Sequence, residues 1–315
     1  MRIAFFGAGA FGAPALDAIC RAGHEVRRVI SQPDRPAGRG RRVQPTPIRV
    51  LAQRLDLRHA QVEDVNATDA ADLIDGAELA VVVAFGQKLG PALLDTAPAG
   101  FINLHASLLP KYRGAAPIQR AILEGESVTG VTIFQLDERW DAGAVWARRE
   151  TPIEESETAA DLHDRLAELG AELMVETLSV IASGTGRAQR QDAALATRAP
   201  KLSKAEGWVD FTQPAFPVAR RINGLWSWPA AACRFEAGGR GTRVLLARAK
   251  PAGDDAPSSQ NPPGALSPDG LIQTGAGRVR LLEIKPSGGK RMPFDAFARG
   301  QRLTEAARLV SPAPP

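Results

Sequence analysis

Leu79-Ala80-Val81-Val82-Val83-Ala84-Phe85 is an unbroken apolar run, and no other stretch limits the folds open to this chain so strongly. It is far shorter than the ~20 residues a bilayer-spanning helix requires. A strand with one wet face would alternate apolar and polar residues, so a continuous run predicts a strand buried on both faces, as in a parallel sheet covered by helices. The surroundings agree. RIAFFG (2–7) and EVRRVIS (25–31) read as strands with the helix PALDAICRA (14–22) between them. PIRVLAQRL (47–55) reads as a helix with Pro47 suited to its first turn. A helix near 67–75 precedes the apolar run, and FIN (101–103) and APIQRAILEG (116–125) continue the alternation. Strands alternating with helices predict an α/β fold with a doubly wound, mostly parallel sheet, whose ligands bind beyond the carboxyl ends of the strands.

The run Gly7-Ala8-Gly9-Ala10-Phe11-Gly12 matches G-x-G-x-x-G directly after the first strand. Alone, this pattern reads as dinucleotide binding. The fingerprint also needs an acid at the end of the second strand to hold the ribose. That strand ends Val29-Ile30-Ser31, and the next acid, Asp34, lies beyond it. The glycines serve equally for a tight turn and close helix packing, and an NAD(P)-dependent oxidoreductase stands as one alternative.

A second candidate site lies at FINLHASLLPKYRGAAPIQ (101–119). Asn103 and His105 are two residues apart, so on an extended strand both side chains point to one side. Ala106 follows, then a Pro- and Gly-bounded loop with Lys111 and Arg113. An amide donor can hold a developing oxyanion, and an imidazole can manage a proton near neutral pH. Asp141 lies downstream, in the loop after the strand-like run GVTIFQL (130–136). The alternative is structural: an Asn and a His ending a strand, and an Asp in a turn.

NLHASLLPKYRGAAPIQ, followed by GVTIFQLD and DAG, resembles the signature of the folate-dependent formyltransferases. SQPDRPAGRGRR (31–42), KLSKAEGWVDF (201–211) and PSGGKRMPFDAFARGQRL (286–303) extend the resemblance over nearly the whole chain, toward the members that act on initiator tRNA. It implies transfer of a formyl group from 10-formyltetrahydrofolate to the α-amine of methionyl-initiator tRNA, for translation initiation. It also implies catalytic roles for Asn103, His105 and Asp141. Asn103 would donate to the oxyanion. His105 would stabilise that oxyanion if protonated, or accept the amine's proton if neutral. Asp141 would favour the charged imidazole and position a relaying water. The folate pocket would involve Phe85, Gly86, Gln87, Lys88 and Leu89, walled by Ser107, Leu108, Leu109 and Pro110. Arg113-Gly114 would fix the loop carrying that wall. The cationic loop with Arg35, Arg39, Arg41 and Arg42 would meet the tRNA acceptor arm, Arg39 being the matching key arginine. The rival within the family is an N-formyltransferase for another amine such as a sugar nucleotide. A non-catalytic RNA-binding module is the rival outside it.

The chain departs from the family pattern at three places: Arg139-Trp140 before Asp141, Trp226 in the run Leu225–Pro229, and the GAGAFGA start. Trp140 is bulky enough to reshape the cleft wall.

Domain organisation follows from length and charge. At 315 residues, two domains are expected. TAADLHDRLAELGAELMVETLSVIASG (158–184) reads as one long helix stopped by Gly184. The expected division is a catalytic domain over 1–190, a linker over 191–206 and a smaller basic domain over 207–315. In the last, short strand-like runs separated by Gly/Pro turns predict a β-barrel, OB-like by the resemblance and a candidate tRNA-binding module. From residue 206 onward 15 Lys and Arg meet 9 Asp and Glu, a balance of +6; with +4 overall, residues 1–205 carry −2. A basic second domain fits a polyanionic partner. Two distant cysteines, Cys20 and Cys233, fit a reducing cytoplasm, and neither has ligand spacing for a metal, so no metal is expected. Without an apolar span or signal peptide, no membrane partner is expected, and the chain reads as a cytoplasmic monomer. His24 and His59 read as surface residues, His163 as surface or packing, and 251–264 as a mobile loop.

Overall fold

The computed structural model describes residues 1–37, 40, 42–252, 261–303 and 307–312. The chain forms two compact units, neither of them continuous in sequence. Met1–Gly114, Thr129–Thr151 and His163–Ala199 make the first; Ala115–Val128, Pro152–Leu162 and Pro200–Pro315 make the second.

The first unit is built on one sheet. Its strands are β1 (Arg2–Gly7), β2 (Glu25–Ser31), β5 (His59–Gln61), β6 (Leu79–Val83), β7 (Phe101–His105), β9 (Val128–Gln135) and β10 (Val145–Pro152). A short hairpin of β3 (Arg35–Ala37) and β4 (Arg42–Gln44) and the small pair β8 (Arg113–Gly114) and β11 (Arg198–Ala199) stand apart from it. The order is β10-β9-β7-β6-β1-β2-β5, so the chain reverses its winding between β1 and β6. Pairings among β5, β2, β1, β6 and β7 are parallel, and β9 joins β7 antiparallel. The helices are α1 (Ala13–Arg21), α2 (Pro47–Arg54), α3 (Ala70–Ile74), α4 (Pro91–Leu94), α5 (Pro117–Glu124), which belongs to the second unit, and the long α6 (Ala159–Ser183). Thr46 caps α2 by accepting from the Arg49 amide. Leu79–Val83 are all buried, as the apolar run predicts for a two-sided strand. One face packs Phe6, Ile30, Leu73, Val82 and Phe101 together.

The expected cationic loop contains the β3–β4 hairpin, in which Arg35 opposes Gln44 and Ala37 opposes Arg42. Arg39 and Arg41 lie outside the described residues, as do 253–260 of the expected mobile loop. The 191–206 segment is not a free linker. Residues 191–199 belong to the first unit, where β11 pairs with β8. Helix α5, expected in the first domain, packs Ala116 and Leu123 against Leu202 and Leu225 of the second unit. His24 and His59 are half-buried rather than free on the surface: His24 Nδ1 lies 3.3 Å from the N-terminal amine, and His59 Nε2 lies 2.9 Å from Ser31 Oγ. His163 packs edge-on to Phe11.

In the second unit, α7 (Ala215–Gly224) and α8 (Phe294–Gln301) accompany β12 (Ala231–Ala237), β13 (Arg240–Pro251), β14 (Ala265–Leu266), β15 (Leu271–Gln273), β16 (Arg278–Pro286), β17 (Met292–Pro293) and β18 (Ala307–Val310). The order β13-β12-β18-β14-β15-β16 closes on itself because β13 also pairs with β16, giving the expected barrel. Phe235 meets Phe297 edge to face at 5.1 Å among the barrel's core residues. Cys233 lies in that core, and burial pushes its thiol up to about 12. Asn223 of α7 is buried at an irregularity of β13. Its carboxamide donates to the Ala249 carbonyl and accepts from the Ala249 amide, both at 2.9 Å, so the polar group is satisfied on both sides.

A charge cluster ties the barrel to residues 152–162 of the same unit. Arg248 pairs with Asp161 and Glu283, each at 2.8 Å, and donates to the Ser156 carbonyl at 2.9 Å; Arg291 also pairs with Glu283. Partial burial opposes ionisation of Glu283, but hydrogen bonds from Arg291 and Arg248 outweigh it and hold its carboxyl below the usual glutamate value. A folded-state value below the unfolded one stabilises the protein above the unfolded pKa, and that stabilisation is lost as pH falls through the folded value. Glu283→Gln is therefore expected to lower Tm at pH 7, with the gap to the parent protein closing below about pH 4. Thermal melts at several pH values test this; a gap that widens in acid contradicts it.

Candidate active site

β6, β1 and β7 bring their carboxyl ends together at the point where the sheet reverses winding, the place where open α/β sheets bind ligands. Asn103 lies on β7 opposite Val82 on one side and Phe134 on the other; His105 is two residues on, opposite Thr132. Asn103 is half-buried, and its carboxamide has no hydrogen-bond partner among the described residues. His105 is buried and packs edge-on to Phe134. Its Nε2 lies 2.9 Å from the Tyr112 carbonyl. A carbonyl only accepts, so Nε2 carries the hydrogen and Nδ1 is the basic nitrogen of the neutral ring.

Nδ1 faces Asp141, whose Oδ2 is 4.0 Å away. That separation is too long for a direct hydrogen bond, and a closure of about 1 Å would make one. Asp141 Oδ2 also accepts from the Gly114 amide at 2.8 Å, which fixes the carboxylate beside the ring. Trp140 does not intrude: its residue is 64% exposed.

Both loops are held from outside the signature. Tyr112 and Arg113 donate their amides to the Thr197 hydroxyl and carbonyl, each at 2.9 Å. The Asp141 turn has a positive backbone angle at Asp141 (φ +49°), which Asp tolerates better than most residues. At Gly143 the turn passes so close to β9 that a Cβ would overlap the Gln135 carbonyl oxygen, and only glycine fits. Gln191 locks this arrangement. Its Nε2 donates to the carbonyls of Asp141 (3.0 Å) and Gly143 (2.8 Å), while its Oε1 accepts from Arg113 Nε (3.2 Å) and Nη2 (2.7 Å). Sequence reading missed Gln191 and Thr197, because nothing in a polar, irregular stretch marks its distant partners.

The expected folate residues fall into two groups. Gly86 and Lys88 are exposed, and Gln87, Leu108 and Pro110 are half-buried. Phe85, Leu89, Ser107 and Leu109 are buried. Ser107 donates its hydroxyl to the Lys111 carbonyl at 2.7 Å, and Leu109 donates its amide to Thr132 Oγ1 at 3.1 Å, so these two shape the loop from within. The Gln87 side chain is engaged by the Val65 amide and the Val62 and Glu63 carbonyls. Gln32 donates to the Phe85 carbonyl at 2.7 Å and so ties the loop after β6 to the end of β2. In the glycine-rich turn after β1 the amides of Ala8 and Gly9 both donate to the Ala84 carbonyl (3.3 and 3.2 Å), so these two donors are engaged within the protein. Of the expected cationic loop, Arg35 and Arg42 are exposed on the hairpin.

Known proteins share this architecture. A profile of the formyl transferase family matches residues 1–178, and one of the formyl transferase C-terminal domain matches residues 201–302. The methionyl-tRNA formyltransferase of Solibacter usitatus is 42% identical over 313 residues, 98% of each chain. That of Heliobacterium modesticaldum is also 42% identical, over 98% of this chain and 100% of its own. Among solved structures, HypX from Aquifex aeolicus in complex with tetrahydrofolic acid shares the fold at a TM-score of 0.62 and 21% identity, over 96% of this chain and 48% of its own. The N-formyltransferase of Helicobacter canadensis, bound to folinic acid and dTDP-3-aminofucose, matches at a TM-score of 0.64 and 15% identity, over 88% of this chain and 97% of its own. No helix among the described residues is long and apolar enough to cross a membrane. With family matches over both parts of its length and relatives this similar from end to end, the chain belongs to the formyl transferase family.

Proposed function

We propose that the protein transfers a formyl group from 10-formyltetrahydrofolate to the α-amine of methionyl-initiator tRNA, giving N-formylmethionyl-tRNA and tetrahydrofolate. The observation that carries the reading is an Asn103 carboxamide without a hydrogen-bond partner among the described residues, on the same strand face as His105, whose basic nitrogen faces Asp141. The names of relatives at 42% identity supply the acceptor.

Attack by the amine nitrogen on the formyl carbon forms the new C–N bond and places negative charge on the formyl oxygen. Asn103 donates to that oxygen. His105 Nδ1 takes the proton released by the attacking nitrogen, directly or through a water, and Asp141 stabilises the imidazolium that results. Collapse breaks the bond to N10 of the folate, and the proton returns to that nitrogen. Tyr112 holds the ring through Nε2 throughout. The route places the developing charge on protein donors and assigns no step to a metal. The exposed Gly86 and Lys88, with the backbone of Gln87, form the edge available to the pterin, and Leu108 and Pro110 face the same cleft. Arg35 and Arg42, with Arg39 and Arg41 between them in sequence, meet the acceptor arm. The basic barrel gives the tRNA a second surface. The active form is a monomer in the cytoplasm.

The test is direct. The protein is mixed with 10-formyltetrahydrofolate and methionyl-initiator tRNA, the ester is hydrolysed, and the amino acid is analysed by mass. N-formylmethionine is expected. Product from a dTDP-amino sugar, with none from the tRNA, would overturn the acceptor.

A further inference from the structure

Beside the Asp141 turn lies a cavity of about 470 Å³ whose lining includes Arg113, Asp137, Arg139, Ala142, Arg190 and Gln191. Three guanidinium groups against one carboxylate give these lining residues a balance of +2. None of the three arginines takes part in the formyl-transfer chemistry. Arg113 is held by Gln191 through Nε and Nη2, and its Nη1 has no partner among the described residues. Arg139 is paired with Asp137 at 2.7 Å. The exposed Arg190 side chain has no partner among the described residues. Arg forks match phosphate oxygens with two parallel hydrogen bonds, and their weak hydration makes the exchange of water for phosphate favourable. The neighbouring Trp140 presents an exposed indole, a surface on which a nucleobase can stack.

The cavity's position narrows the ligand. Ala142 is bonded to Asp141 in the chain, and Arg113 precedes Gly114, whose amide holds the Asp141 carboxylate. A group bound there therefore lies beside the turn that carries Asp141. In an aminoacyl ester the reacting amine is joined through the acyl group to the ribose of the terminal nucleotide, so the phosphate of that nucleotide comes to rest close to the reacting centre.

We propose that this cavity is a subsite for the 3′-terminal nucleotide of the acceptor RNA, with Arg139 and Arg190 on its phosphate, Arg113 fixed beside them by Gln191, and Trp140 beneath its base. The proposal rests on the RNA acceptor reading above. Gln191 then has two tasks: the same carboxamide that orients Arg113 toward the phosphate also sets the turn carrying Asp141.

Binding without turnover separates the two ideas. Two labelled RNA hairpins with the same stem, one ending in CCA and one in CC, are titrated by fluorescence anisotropy at several salt concentrations. The parent protein is expected to prefer the CCA hairpin. Arg139→Ala with Arg190→Ala should weaken the CCA hairpin at least tenfold, reduce its salt slope by about 0.7 for each phosphate no longer neutralised, and leave the CC hairpin unchanged. Trp140→Ala should weaken the CCA hairpin several-fold with no change in salt slope. Both substitutions are at exposed positions, and unchanged melting curves confirm the fold. Equal losses for both hairpins would reduce the arginines to general attraction and overturn the subsite. A raised KM for 10-formyltetrahydrofolate with RNA binding intact would hand the cavity to the folate's carboxylates and also overturn it. A parent protein that binds both hairpins equally overturns the subsite, whereas one that binds neither hairpin counts against the acceptor reading itself.

Discussion

Asn103→Ala is expected to lower kcat for formyl transfer on the order of a hundredfold or more, with little change in KM for either substrate. A donor aimed at an oxygen that becomes charged only during reaction contributes to the transition state and little to the ground state. The structure makes the substitution unusually clean. Asn103 has no side-chain partner among the described residues, so its removal orphans no buried group, and Tm should barely move. Asn103→Asp should be at least as damaging, because it sets a carboxylate against the oxyanion in a side chain of the same size. Retention of more than a third of the parent kcat by the alanine variant would remove Asn103 from the mechanism.

Gly143→Ala should also be severe, for a different reason. Its Cβ would overlap the backbone carbonyl oxygen of Gln135, and the Asp137 amide nitrogen is 3.6 Å away. Neither is a flexible side-chain tip that can swing aside. The turn must move, and with it the two carbonyls that Gln191 holds and the Asp141 carboxylate beside His105. Overpacking of this kind costs ~1–3 kcal/mol or more. The expected result is a lower Tm together with at least a tenfold loss of kcat. Soluble protein with the parent's Tm and kcat would show that the turn tolerates displacement.

The sequence was most readable where one physical signal dominated. β1 and β2 span the residues that their apolar patterns mark out, and α6 runs 159–183 against an expected 158–184. The strand period of two put Asn103 and His105 on one side of a strand, and both lie on one short stretch of β7. What escaped had no local signal. The β3–β4 hairpin pairs three-residue strands in an Arg-, Pro- and Gly-rich segment with no apolar periodicity. Helix α7 begins after Pro214 and carries Pro217 in its first turn, a composition that reads as a loop. Ser107 and Leu109, expected to wall the cleft, are buried, and the hydroxyl of one and the amide of the other find partners inside the protein that no local pattern announces. Gln191 is fifty residues from Asp141, and only the folded chain shows that they touch.

The alternation of the chain between its two units bears on how the protein is made. Synthesis runs from the amino end, and domains tend to fold as they emerge. Helix α5 leaves the ribosome roughly a hundred residues ahead of α7 and Leu225, so Ala116 and Leu123 must wait, uncovered, for most of that interval. A nascent chain stalled near residue 200 would thus carry a sticky apolar segment, and chaperone capture should be strongest at that length.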